Sequence, residues 1–229
     1  MGDKTREPQY TVALEYREKR GLERLGLMTN QAWYDDPKRL TFTLSRYKFV
    51  AKMLAGCKRV LEVGCGDAFA SRVVLQEVES LTVLDFDSVF IEDVKDRMTE
   101  GWEYADCFVH DMLSGAVPGE FDGIYALDVL EHIRPENEER FLTNMVASLT
   151  EHGTLVIGIP SLESQVHASA ISKAGHVNCQ SMPQLKAGMK RFFHNVYMFS
   201  MNDELVHTGH HRMAHYLFAL CCGKTNQQG

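Results

Sequence analysis

No apolar run in these 229 residues approaches the roughly 20 needed to cross a bilayer. The opening residues, Met1 to Arg6, lead into no apolar stretch of signal-peptide type, so the expected compartment is the cytoplasm, with no membrane partner. The six cysteines, at 57, 65, 107, 179, 221 and 222, form no CxxC pair. Four of them sit in apolar segments, which argues for reduced core thiols and against a disulfide framework. Positive charge is also in short supply: 24 Lys and Arg against 31 Asp and Glu leave a net charge of −7. That is the wrong sign for broad attraction to a phosphate backbone, so nucleic acid is not an expected partner. Internal repeats, low-complexity tracts and Pro-rich linkers are absent too, which favours one domain.

What is present is the composition of a folded domain, 45% hydrophobic and 24% charged. Residues 1–36 read as a polar arm or cap with a helix around Val12 to Leu25. After Asp35-Asp36-Pro37, the residues Leu40, Leu44, Tyr47, Val50, Ala51 and Leu54 recur at helical spacing, with Pro37 suited to a first turn and Gly56 to an end. Strand-like and helical segments then alternate: Arg59 to Val63, Phe69 to Val78, Ser80 to Leu84, Val89 to Arg97, Cys107 to Val109, Phe121 to Leu127, Glu136 to Leu149 and Gly153 to Ile159. This rhythm predicts an α/β fold with a parallel, doubly wound sheet. Beyond Pro160 a polar stretch runs to Asn178, followed by a short helix near Pro183 to Lys190. Two last strands, Phe192 to Ser200 and Met213 to Cys222, are expected to close a seven-stranded sheet as an antiparallel hairpin. The expected boundaries are a cap over 1–36, a domain over 37–222 and a tail over 223–229.

The most informative segment is Val60-Leu61-Glu62-Val63-Gly64-Cys65-Gly66-Asp67, an apolar strand running into a glycine turn and then a helix. Open α/β sheets bind ligands at such carboxyl ends. Gly64 and Gly66 remove Cβ where backbone turns and a ligand approaches. A dinucleotide fingerprint wants a third glycine at 69, where this chain has Phe. NAD therefore loses ground, and Glu62, two residues before Gly64, suits attraction of a cationic ligand.

The next strand ends Val83-Leu84-Asp85-Phe86, and a third ends Val109-His110-Asp111-Met112. Asp85 can accept two hydrogen bonds from a ribose diol, and Asp111 one from an adenine amino group while Met112 packs on the ring. Any one of these acids can equally be a helix N-cap. Three at three successive strand ends are harder to dismiss.

Glu62-Val63-Gly64-Cys65-Gly66, Asp85, Asp111-Met112 and Phe121-Asp122-Gly123-Ile124-Tyr125-Ala126-Leu127-Asp128-Val129-Leu130-Glu131-His132 together resemble the successive motifs of class I S-adenosylmethionine-dependent methyltransferases. The resemblance covers roughly residues 37–160 and implies a Rossmann-like sheet. It also implies S-adenosyl-L-methionine as cofactor and S-adenosyl-L-homocysteine as product. It places the donor against Glu62, Gly64, Cys65, Gly66, Asp85, Phe86, Asp111, Met112 and Asp128. Ala68 stands where many members carry a further glycine. No Asn/Asp-Pro-Pro-Tyr follows the fourth strand and no Pro-Cys occurs, which argues against the nucleic-acid and protein methylating branches that use them. Asp-Val-Leu-Glu-His looks most like the small-molecule O-methyltransferase branch that includes the ubiquinone-pathway enzymes. In some of those an acid-x-x-Glu-His group is associated with a divalent metal, which makes Asp128, Glu131 and His132 candidate ligands, although no metal is the expectation.

Methyl transfer to a hydroxyl is an in-line displacement that needs positioning and a base, and His needs least tuning for that role. His132 lies nearest the expected methyl group. His176, in the loop Lys173 to Asn178, comes second, ahead of His167 and the group His207, His210, His211 and His215. Trp33 and Tyr34 can close over a ligand or staple onto the core. The expected activity is O-methylation of a small-molecule acceptor. N-methylation of a small amine and a non-catalytic, cofactor-binding partner protein are the alternatives.

Overall fold

The computed structural model describes residues 4–98 and 103–225; Met1 to Asp3 of the arm and Asn226 to Gly229 of the tail lie outside the described residues. The arm holds two helices, α1 (Thr11–Arg20) and α2 (Leu27–Asp35), where the sequence suggested one. Gly21 stops α1 in left-handed backbone at φ 76°, a conformation that favours glycine. Helix α3 (Lys38–Met53) buries Tyr47, Val50 and Ala51, as its apolar spacing requires.

The expected alternation follows: β1 (Val60–Val63), α4 (Ser71–Leu75), β2 (Leu81–Asp85), α5 (Ser88–Arg97), β3 (Asp106–Val109), β4 (Phe121–Leu127), α6 (Pro135–Ala147) and β5 (Leu149–Pro160). The polar stretch after Pro160 contains a 3-10 turn, Glu163–His167, and the short helix α7 (Ala170–Gly175). Then come α8 (Met182–Lys190), β6 (Phe193–Asn202), β7 (Leu205–His207) and β8 (Tyr216–Lys224). The strands lie in the order β3-β2-β1-β4-β5-β8-β6-β7. From β3 through β5 the neighbours are parallel, and β8 runs antiparallel between β5 and β6.

The sheet thus has eight strands among the described residues, one more than expected. The additional strand, β7, pairs with β6 through Asn202 and Leu205 across the two residues Asp203 and Glu204. Asp203 takes φ 48°, which a tight hairpin turn of this kind demands. Three half-exposed residues are too few to show an alternation, which is why β7 has no sequence signal.

Alternation within β1 separates two cores. Leu61 and Val63 face a cluster with α6 and α8, including Phe141, Met145, Leu185 and Met189. Val60 faces the opposite cluster with α3, α4 and α5, including Val50, Leu54, Val74 and Ile91. Because the winding reverses between β1 and β4, a crevice opens above their carboxyl ends, where such sheets bind ligands. No helix among the described residues is long and apolar enough to cross a membrane.

Glu62 shares the face of Val60 and is 1% exposed. Tyr47 Oη donates to its Oε1 at 2.8 Å and Tyr125 Oη to its Oε2 at 2.7 Å, so one carboxyl ties α3, β1 and β4 together. Burial raises its pKa from 4.5 to about 7, against the opposing pull of these hydrogen bonds. The folded protein therefore holds a proton that the unfolded chain has released between about pH 4.5 and 7. Stability falls as pH rises through that window and levels above it. Relative to Glu62→Gln, the wild type should lose up to about 3 kcal/mol between pH 5 and 8, as read by urea unfolding at the two pH values. A difference between wild type and variant that stays constant with pH would remove Glu62 from the titrating groups.

Candidate active site

Strand β1 delivers the chain into Gly64-Cys65-Gly66, and the N–H groups of Gly64 and Cys65 both donate to Leu84 O, at 2.9 and 3.0 Å. The turn is thereby fastened to the end of β2. Gly64, Gly66 and Ala68 have φ of 76°, 52° and 50°. A Cβ on Gly64 would stand 2.4 Å from Val129 Cγ2, and one on Gly66 would stand 2.7 Å from Met28 Sδ. Ala68 shows that a small side chain is accommodated at the third left-handed position.

Asp85 is buried at the end of β2, where its Oδ2 accepts from Gly66 N–H and its Oδ1 from Asp87 N–H, each at 2.9 Å. Both oxygens keep a further lone pair for a ligand diol. Asp111 accepts from Leu113 N–H at 2.8 Å, so it caps its own turn while facing the same space. Gly64, Gly66, Asp85, Phe86, Asp111, Met112 and Asp128 line a cavity of about 570 Å³. Phe86 is 75% exposed, leaving an aromatic face uncovered at the rim, where a planar base can stack.

A second cavity, of about 480 Å³, adjoins the first and shares Met28, Gly64, Gly66, Asp128 and His132 with it. Its other walls come from α2, from Arg39, Thr43 and Arg46 of α3, and from Glu131 and His176. Asp128 stands at the junction with φ 57°, a backbone that costs a non-glycine residue about 1 kcal/mol. Arg46 Nη1 holds it there, donating to both carboxylate oxygens at 3.0 and 2.8 Å. The guanidinium lies 3.8 Å over the Tyr216 ring, so Arg46 joins α3, the end of β4 and β8.

Residues Leu130–His132 form a 3-10 turn just past β4. Glu131 is fully buried, its Oε2 has no hydrogen-bond partner, and burial followed by the charge of Asp128 pushes its carboxyl well above the usual range. His132 Nδ1 lies 2.9 Å from Gly175 O. A carbonyl only accepts, so Nδ1 carries a proton, and Nε2 lies 4.0 Å from Glu131 Oε1, beyond hydrogen-bond reach. His176 makes the matching contact from Nδ1 to Gln165 Oε1 at 2.9 Å, and burial, then His132, lowers its pKa. The two imidazoles meet edge to face with centroids 5.2 Å apart. The loop bearing His176 is anchored, because Val177 and Asn178 N–H donate to Glu131 O at 2.8 and 3.0 Å.

Glu131, His132 and His176 bring one ligand atom each within 4.8 Å of one another. The acid-x-x-Glu-His set is thus rearranged: His176 joins the group and Asp128, committed to Arg46, leaves it. Two of the nine donor contacts suggested by the sequence do not line the first cavity. Cys65 faces the second cavity, and Glu62, turned beneath the turn toward its two tyrosines, lines neither cavity. Trp33, Tyr34 and His167 line neither cavity. His207 is engaged with Asn202 and Gly209 at the sheet's added edge and lines neither cavity.

Sequence reasoning missed Met28, Arg39 and Arg46. Arg46 had a signal, a charge four residues before buried Val50 on an otherwise apolar helix face. Helix α2 had none, yet Asp67 secures it by accepting from Thr29 N–H at 2.6 Å and Thr29 Oγ1 at 3.2 Å.

The family described as "Methyltransferase domain" matches residues 60–153, from β1 to the start of β5. That match spans less than half of the chain, and over it the chain is similar to methyltransferase domains. A mitochondrial ubiquinone biosynthesis O-methyltransferase of Schizosaccharomyces pombe is 28% identical over 127 residues, covering 52% of this chain and 44% of the relative. The chain therefore spans less than half the length of that curated relative. Among solved structures, the N-methyltransferase NodS of Bradyrhizobium japonicum WM9, in complex with S-adenosyl-L-homocysteine, superposes with a TM-score of 0.62 at 18% identity, over 83% of this chain and 90% of that one. The methyltransferase domain of a bacterial protein, CtHen1-C, gives 0.65 at 15% identity, over 79% and 98%. At these identities the structures speak for the fold. The first cavity fits the methyltransferase cofactor, S-adenosylmethionine: bare glycine backbone, a buried acid with spare lone pairs and an open aromatic face line one continuous space.

Proposed function

We propose that the protein transfers a methyl group to a hydroxyl of a small molecule, with the donor in the first cavity and the acceptor in the second. Bound there, S-adenosylmethionine supplies a methyl group on a sulfonium. Gly64 and Gly66 leave room for it, Asp85 accepts from its ribose, and Asp111, Met112 and Phe86 surround its adenine. His132 takes the acceptor's proton on Nε2, and His176 supports it from across the ring contact.

The observation that carries this reading is His132 at the place where the two cavities meet, with Nδ1 held by Gly175 O and no hydrogen-bond partner on Nε2. A hydroxyl needs such a base at neutral pH and a free amine does not. Residues 1–36 act with the domain over 37–222, since Met28 borders both cavities. The test is turnover on hydroxylated and amino acceptors, read as S-adenosyl-L-homocysteine release. Release with hydroxylated compounds alone is expected; release with amines alone would overturn O-methylation, and binding without any release would make this a cofactor-binding partner protein.

A second reading rests on Glu131. A buried carboxyl oxygen without a partner, beside two imidazoles with free Nε2 atoms, has the donor set of a Zn²⁺ or Mn²⁺ site. Glu131, His132 and His176 would hold the ion, which would lower the pKa of a bound hydroxyl. Under this reading, EDTA abolishes turnover, and Zn²⁺ raises the melting temperature of wild type but not of a His132→Ala/His176→Ala double variant. Full turnover in EDTA would leave His132 as the base.

A further inference from the structure

Buried side-chain atoms without hydrogen-bond partners are rare, because each costs roughly 1 to 3 kcal/mol. Six occur among the described residues, and three of them, Arg39 Nε, Arg46 Nε and Glu131 Oε2, belong to residues lining the second cavity. Such a concentration marks a space whose partners come from outside the chain. Two of the three are guanidinium donors, which want anionic oxygens.

Arg39 and Arg46 lie seven residues, or two helical turns, apart on α3, with Thr43 between them on the same wall. Their backbones are separated by about 10 Å along the axis, so the two play different parts. Arg46 is fixed, bound through Nη1 to both oxygens of Asp128 and stacked on Tyr216. Arg39 is replaceable in its contact: its ion pair is with Asp35, 2.6 Å away at i,i+4 spacing, and the Asp35 side chain is 63% exposed. Pairs of that kind contribute little, and exchanging one oxyanion for another costs little. The remaining acids on the cavity face partners of their own. Asp67 is bound to Thr29, Asp128 to Arg46, and Glu131 Oε1 faces His132 Nε2 at 4.0 Å.

We infer that the acceptor carries an oxyanion, a carboxylate or a phosphate, which Arg39 binds at the end of the cavity away from His132. This rests on the assignment of the second cavity to the acceptor. The substrate is then a hydroxylated acid or a phosphate ester with its nucleophilic oxygen and its anionic group at opposite ends. Arg39 is a specificity-determining residue that takes no part in the proton transfer.

The test is calorimetric titration of the full chain, first with S-adenosyl-L-homocysteine and then, once saturated, with inorganic phosphate and separately with acetate, chloride balancing ionic strength. Saturable binding of one or both oxyanions is expected, and which one binds distinguishes phosphate from carboxylate. Arg39→Met should weaken it at least tenfold and Arg39→Lys less, whereas Arg191→Met, which removes a surface pair with Glu139, should match wild type. Absence of saturable oxyanion binding, or equal binding by Arg39→Met with an unchanged melting temperature, would overturn the inference. Failure of the first titration would instead overturn the methyltransferase reading, so the two failures are separable.

Discussion

His132→Ala should lower turnover by about 10²- to 10⁴-fold, the range typical of a lost general base, while affinity for S-adenosyl-L-homocysteine changes by no more than a few fold. The separation of effects follows from where the ring stands. His132 borders the first cavity, but under the proposed reading the donor is oriented by the glycine turn, Asp85 and Asp111, which line that cavity apart from the ring. What alanine removes is the Nε2 lone pair, together with the hydrogen bond from Nδ1 to Gly175 O that aims it. His132→Asn is the informative companion, because its amide can still donate to Gly175 O while offering no base. Equal loss in both variants assigns the effect to proton transfer, and recovery in the asparagine variant would assign it to loop anchoring. Retention of most turnover by His132→Ala would end the general-base role and bring the amine acceptor forward.

The other large effect belongs to Gly64. Gly64→Ala should abolish measurable S-adenosyl-L-homocysteine binding and lower stability by about 2 to 3 kcal/mol, from left-handed strain and the clash with Val129 together. The new Cβ meets Val129 Cγ2 at 2.4 Å, and Val129 itself lines the donor cavity. Relief of the clash thus moves Val129 into the space the donor needs. Gly56 supplies the control. Its φ is 81°, yet its Cβ would meet nothing within 4 Å, so Gly56→Ala should cost about 1 to 2 kcal/mol of backbone strain and leave binding intact. Comparable loss of binding in both variants would mean that general destabilisation, and not the turn, is being measured.

The parts of the molecule legible in the sequence are those whose causes lie close together along the chain. The apolar strands, the helical stripe of α3, the glycine turn and the acid after each strand all place their meaning within a few residues. The junction of the two cavities is different. Arg46 and Asp128 are 82 residues apart, and His132 and His176 were each named as candidates without any sign that their rings touch. The burial of Glu62 has a local cause that the sequence does contain: period-two alternation in β1 puts it on the face of Val60, against α3, where Tyr47 and Tyr125 enclose it. Helix α2 carries no apolar stripe to betray it, because a single buried residue, Thr29, and a carboxylate on another segment hold it in place.

The position of β8 bears on how the chain is made. It is synthesised after β6 and β7, yet it lies between β5 and β6 and bonds to both. Until its residues emerge, β6 has only the three-residue β7 beside it, and β5 presents an open edge. A nascent chain ending between His207 and Tyr216 therefore exposes two unpaired strand edges, the kind that invite association with other chains. It also lacks the ring on which Arg46 rests, so the junction between the cavities takes shape only when the sheet is closed. Completion of the sheet and assembly of the active site are then a single late event, reached through contacts distant in sequence and correspondingly slow to form.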